Sequence, residues 1–186
     1  AIHSAKDLPD PIADDLDWFW LPNREDPRDC WVARADCALL ARHSIRWRGA
    51  GLRIGVSSER RRAFAKRICP KAICAPIRGA VDSRLAQLQS GKFDAALMAV
   101  AGLKRLLPDW DGGAMLPIEC GDARLATRII GFDELPPPEG QGYIAIVFRK
   151  GDQRLNALRR RFVKAVRFTS AGVGDAGLIT VRGAQD

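Results

Sequence analysis

A chain of 186 residues with 47% apolar side chains can bury a proper core, as one large domain or two small ones. Its 30 Lys and Arg against 22 Asp and Glu leave a net charge of +8, which favours an anionic partner. Nucleic acid is not expected, because no Lys/Arg block interleaves with aromatics and no zinc-finger or RNA-binding sheet signature occurs. No membrane partner is expected either, since no run reaches the roughly 20 apolar residues of a span.

The chain starts mid-pattern, without Met or a leader-like order, and is expected to be the cut end of something longer. Ile2-His3-Ser4-Ala5-Lys6-Asp7-Leu8-Pro9 passes from a strand-like to a helix-like run and combines a cation, a hydroxyl and one acid. Leu16–Pro22 is expected to cross between lobes, stiffened by Trp18, Phe19 and Trp20, and Leu21–Asp29, polar and Pro-broken, reads as a surface loop. Arg46–Ala50 reads as a basic linker. Leu52–Val56 predicts a strand, followed by a helix capped by Ser57 or Ser58 that runs to about Cys69 and stops at Pro70. Ala72–Ile77 predicts a second strand, Val81–Ser90 a helix closed by Gly91, Phe93–Val100 a third strand and Ala101–Leu107 a helix ending at Pro108. Asp109–Gly113 is a loop, and Leu135–Gly142, with three consecutive prolines, a stiff second crossing. Tyr143–Phe148 predicts a strand, and a turn at Lys150-Gly151-Asp152 leads into a basic helix over Arg154–Val166. The βαβαβα order of the middle implies a parallel sheet covered on both faces, with ligands outside the carboxyl ends of its strands.

The clusters Ser57–Arg62 and Arg78–Arg84 fall at that edge. Arg60, Arg61 and Arg62 in a helix's first turn oppose its dipole, at a cost of roughly 0.3–1 kcal/mol per charge. Backbone N–H groups, the dipole and guanidinium forks there all favour an anion. Lys6 repeats the logic after Ser4. Asp7 among these cations is a candidate for acid–base or charge-stabilising work, against the plainer role of a first-turn helix acid. Arg78 and Arg84 flank Gly79, which allows close backbone approach. Arg105 can reach the same edge. His3 reads as a buried, satisfied histidine, and Trp18, Trp20, Trp31 and Trp47 as core and hinge packing. Cys30, Cys37, Cys69, Cys74 and Cys120 form no CxxC pair and only His3 and His43 accompany them, so no metal site is expected and the thiols read as reduced, in a cytoplasm.

In order and spacing, AIHSAKDLP (Ala1–Pro9), REDPRD (Arg24–Asp29), IGVSSERR (Ile54–Arg61), IRGAVDSRL (Ile77–Leu85), GKFDAALMAVAGLKRL (Gly91–Leu106) and EGQGYIAI (Glu139–Ile146) resemble the hydroxymethylbilane synthase, or porphobilinogen deaminase, family. That family joins porphobilinogen units into a linear tetrapyrrole with release of ammonia, on substrates whose acetate and propionate arms suit an arginine-lined cleft. The resemblance implies an α/β, periplasmic-binding-protein-like (type II) two-lobe fold, its second domain complete and its first partial. By resemblance Asp7 is the catalytic carboxylate that stabilises positive charge on pyrrole nitrogens. Ser4, Lys6, Ser57, Ser58, Arg60, Arg61, Arg78, Arg84, Arg105 and Gln141 then hold carboxylates of substrate and of the dipyrromethane cofactor. The family's opening segment is not matched, nor is the third domain whose cysteine anchors that cofactor by a thioether; no cysteine here has a matching context. Val56 stands for a usual Thr and Glu59 for a usual Leu.

Ser170–Thr180, after the mostly apolar Ala165-Val166-Arg167-Phe168, resembles the first strand and glycine loop of uroporphyrinogen-III C-methyltransferase, with Val173 where that family has Pro. The implied organisation is 1–20 as a remnant of the first deaminase domain, 21–140 as the second, 141–166 as a return strand and helix, and 167–186 as a linker into a fused methyltransferase. The expected function is a transferase of tetrapyrrole synthesis, incomplete as this chain. The alternatives are a non-catalytic module that holds a polycarboxylate pyrrole for the methyltransferase, and a generic nucleic-acid binder.

Overall fold

The computed structural model describes residues 1–41, 44–47, 51–117 and 124–169. Its elements in chain order are β1 (Ile2–Ser4), a 3-10 turn (Ala5–Asp7), β2 (Leu16–Trp20), β3 (Asp29–Arg34), β4 (Ala38–Ala41), β5 (Ser44–Trp47), β6 (Arg53–Val56) and α1 (Glu59–Ile68). There follow β7 (Ile73–Pro76), α2 (Val81–Gln89), β8 (Ala95–Ala99), α3 (Val100–Leu106), β9 (Leu125–Ile129), β10 (Ile144–Arg149) and α4 (Gln153–Thr169). Two compact units share the chain, residues 24–142 forming one and both flanks the other. Among the described residues no helix is long and apolar enough to cross a membrane.

The inner unit is built on a five-stranded sheet of order β7-β6-β8-β3-β9. β6 pairs in parallel with β7 and β8, as the βαβαβ pattern requires, but β3 runs antiparallel to both β8 and β9. The sheet is therefore mixed, not purely parallel. The difference lies in β3, whose first residue, Asp29, ends a stretch that has the sequence of a loop. Both faces are buried, so alternate residues of one strand serve different layers. Trp31 and Ala33 pack with Ile54, Phe64 and Leu97 on the α1 face. Cys30 and Val32 pack with Leu85, Leu88 and Leu103 on the α2–α3 face. Ser58 caps α1, its hydroxyl accepting from the Arg61 amide at 3.4 Å, and the chain leaves the helix at Cys69 just before Pro70. The segment 46–47, read as linker, is strand: β4 and β5 form a hairpin in which Ala38 faces Trp47. The Trp47 side chain, His43 and Cys120 lie outside what is described.

The outer unit is a three-stranded antiparallel sheet of order β1-β10-β2. Leu16–Trp20 is strand β2, paired along its length with β10, and the change of unit falls just after Leu16–Pro22, between Asn23 and Arg24. Alternation of apolar and polar residues in Leu-Asp-Trp-Phe-Trp is broken by aromatics, which obscured its strand period. Phe19 is buried against Phe148, with centroids 6.0 Å apart, and against Phe162 of α4 at 5.9 Å. Asp152 starts α4 by accepting from the amides of Arg154 and Leu155 at 3.1 and 3.2 Å. His3, expected to be buried, is exposed on edge strand β1. Ala165–Phe168, read as leading into a new strand, continue α4 to Thr169. The glycine pattern from Ser170 onward lies outside the described residues.

Candidate functional site

In the inner unit the parallel strands end in the segments that carry the cations. β6 delivers Ser57 and Ser58, and β7 delivers Arg78 and Gly79. Asp29 of β3 pairs with Ala99, the last residue of β8, so the start of the antiparallel β3 lies at the same edge. The loop Glu139–Gly142 returns there, because the Gln141 amide group donates to the Pro27 carbonyl at 2.5 Å.

At that edge lies one buried carboxylate, in a segment whose sequence reads as a surface loop. Asp29 is fully buried. Arg61 donates to its Oδ1 from Nε at 3.2 Å and from Nη2 at 2.6 Å. Arg60 Nη2 donates to Oδ2, and Gln141 Nε2 donates to Oδ1 at 3.2 Å. Arg61, 3% exposed, also gives Nη1 to Ser57 Oγ at 2.7 Å. Arg60 gives Nη1 to the Pro136 carbonyl at 2.9 Å and keeps a side-chain exposure of 28%. A buried carboxylate needs such partners, since isolated ionised groups are strongly disfavoured in an apolar interior.

This changes the account of the cations at the start of α1. The dipole penalty expected there is offset in part by the protein's own anion. Arg61 is an internal ion-pair partner, and Arg60 presents its outer face. Arg62 turns away to the Cys74 carbonyl at 2.8 Å and to Glu59 at 3.4 Å. Arg78 is exposed, and Arg84 is folded back with Nε on the Gly79 carbonyl at 2.7 Å. Gly79 has φ +100°, a conformation that favours glycine. Arg105 donates to the Gly142 carbonyl at 2.6 Å. Ser58 is exposed, its hydroxyl at the mouth of the helix.

Ser4, Lys6 and Asp7 belong to the outer unit. Ser4 ends β1 without capping the 3-10 turn, Lys6 is half-buried in that turn and Asp7 is exposed. The turn is too short for a helix-terminus argument like that at Ser58. Burial pushes the Cys30 thiol well up, helped by the Asp29 charge beside it. Burial and the Asp36 carboxylate push Cys37 to about 11. Neither thiol is activated for nucleophilic work at neutral pH.

The sheet order, with one antiparallel strand set among parallel ones, defines an α/β fold of the periplasmic-binding-protein type II kind, and polar groups gather at the carboxyl ends of its strands. The model of the porphobilinogen deaminase, dipyromethane cofactor binding domain matches residues 1–157, and the chain belongs to the porphobilinogen deaminase family. It is 36% identical over 155 residues to the porphobilinogen deaminase of Roseiflexus castenholzii, covering 83% of this chain and 45% of that one. It is 38% identical over 169 residues to that of Nitrobacter hamburgensis, covering 89% and 45%. For that of Sorangium cellulosum the identity is 39% over 152 residues, covering 82% and 44%. The chain thus spans about half the length of the curated relatives it matches. Among solved structures, the substrate binding protein of an amino acid ABC transporter has 17% identity and a TM-score of 0.43, over 83% of this chain and 59% of that one.

Proposed function

We propose that this chain holds the carboxylate arms of porphobilinogen and linear pyrroles, as part of a hydroxymethylbilane synthase-type transferase of the cytoplasm that assembles porphobilinogen into a linear tetrapyrrole. The observation that carries this is the hydroxyl and guanidinium set at the carboxyl edge of the sheet, in a chain of the porphobilinogen deaminase family. Ser58, Arg60, Arg78, Arg84 and Arg105 bind carboxylates there, with Ser57, Arg61 and Gln141 as their support. In the outer unit Ser4 and Lys6 hold further carboxylates. Asp7 opposes positive charge as it develops on pyrrole nitrogens, where a fixed carboxylate lowers the barrier.

The same donor set fits a dipyrromethane group, whose acetate and propionate arms call for guanidinium and hydroxyl donors. When bound, that group supplies a covalently anchored pyrrole pair. Burial of Cys30 and Cys69 and the raised Cys37 speak against these three thiols as the site of its thioether. The second reading is a non-catalytic module that presents a polycarboxylate pyrrole to a fused methyltransferase, and it rests on the glycine pattern of Ser170–Thr180.

Titration calorimetry of the full chain with porphobilinogen, alongside an assay for released ammonia, tests both readings. Binding without turnover is expected. Arg78→Ala should weaken affinity roughly tenfold or more, as a charge-assisted hydrogen bond is worth about 1.5–3 kcal/mol. No binding at all overturns the proposal. In a chain that turns over, Asp7→Asn should lower the rate far more than the affinity, because the carboxylate acts where charge develops. Equal losses return Asp7 to a structural acid.

A further inference from the structure

We propose that Asp29 is the positioning residue of the anion site, holding the Arg60 guanidinium at the sheet edge while Arg61 serves as its buried counter-charge. This rests on the carboxylate-binding reading above. Adjacent residues on a helix point about 100° apart. Arg60 and Arg61 nevertheless converge on one carboxylate, Asp29, at the first position of β3. Arg61 is engaged through Nε, Nη1 and Nη2 and is almost wholly buried, so it has little to offer a ligand. Arg60 is held at two points, Nη2 on Asp29 and Nη1 on the Pro136 carbonyl, while its side chain stays partly exposed. A guanidinium fixed in this way loses less rotamer freedom on meeting a carboxylate than one on a free stem. Gln141 ties the Glu139–Gly142 loop to the same Asp29 oxygen as Arg61. One buried acid thus ties the start of α1 and the Glu139–Gly142 loop to β3.

Positioning and plain electrostatics predict opposite signs. Asp29→Asn removes a negative charge, so a purely electrostatic edge would bind anions more tightly. A positioning role predicts weaker binding in spite of the added positive charge. Arg60→Lys keeps the charge but cannot reach Asp29 and Pro136 as a fork.

The test is titration calorimetry of porphobilinogen, and separately of inorganic sulfate, against the full chain and both variants. Arginine side-chain NMR and backbone amide spectra are recorded on each. Wild type should bind, and both variants should lose about tenfold or more in affinity for porphobilinogen. The Asp29→Asn spectra should show the Arg60 guanidinium rotating freely while the sheet amides keep their positions. Unchanged or tighter binding by both variants overturns the positioning role and leaves the functional reading intact. A wild type that binds neither probe overturns the functional reading instead. The Arg60 signals then decide the role of Asp29 alone, and a slowly rotating Arg60 guanidinium in Asp29→Asn refutes it. Should Asp29→Asn fail to fold, Arg60→Lys carries the test, and affinity equal to wild type refutes the proposal.

Discussion

Arg61→Ala is expected to destabilise the inner unit by about 3 kcal/mol, the low end of the roughly 3–5 kcal/mol lost when one partner of a buried ion pair is removed. The low end applies because Arg60 and Gln141 remain on Asp29. The loss is not the worth of the pair. It is chiefly the cost of leaving the Asp29 carboxylate, wholly buried, short of two of its N–H donors. The double variant Asp29→Asn/Arg61→Met should therefore recover much of what Arg61→Ala loses, since it removes both charges and keeps the volume. Urea unfolding of Arg61→Ala, Asp29→Asn, Arg61→Met and the double variant shows the recovery, and the last three with wild type close the cycle that gives the coupling energy. A single-variant loss below about 1 kcal/mol would place the pair among surface-like contacts that contribute little. A double variant as unstable as Arg61→Ala would mean that the stranded Asp29 charge is not the source of the loss.

Gly142→Ala is expected to cost about 3 kcal/mol or more, through backbone geometry. Gly142 has φ +96°, a region that a residue with a Cβ enters at a cost of order 1–3 kcal/mol. An added Cβ would also run into the Glu25 carbonyl oxygen, which is backbone and has no rotamer to yield. The strain falls on a junction that holds the site together. The Glu25 amide donates to the Gly142 carbonyl at 3.1 Å, and Arg105 donates to the same carbonyl at 2.6 Å. Thermal unfolding should show the loss, and porphobilinogen affinity should fall with it, because Gln141 is the next residue along. Gly151→Ala is the control: φ there is +93°, yet an added Cβ meets nothing within 4 Å, so only the conformational part of the cost should appear. Equal effects at both positions would show that the approach to Glu25 is not what makes Gly142 special.

Much of the inner sheet was legible because its signals are local. The strand Arg53–Val56, the cap at Ser58, the stop before Pro70, the helix Val81–Gln89 and the strand Ala95–Ala99 each carry their own punctuation within a few residues. The return strand Ile144–Arg149 and the helix after Asp152 were equally readable. β3 was not, because polar, Pro-broken Arg24–Asp29 masks its first residue and nothing near it tells that it pairs antiparallel between β8 and β9. β2 was hidden by its aromatics, and β9 by the lack of strong flanking signals. The signal that could have found Asp29 was the arginine pair itself: cations against a helix dipole call for an anion, and the chain had one to supply.

By itself the sequence determined the family, the βαβαβ core, the capped start of α1 and the residue types that gather at its sheet edge. These follow from side-chain period, caps and turn residues, which act over one or two turns of chain. The tertiary structure alone decided that the first anion met by Arg60 and Arg61 is Asp29, 31 and 32 residues away, and that Gln141 joins them across a separation of 112. Contacts at such distances depend on strand order and register, and a buried carboxylate takes whichever donors that register brings to it.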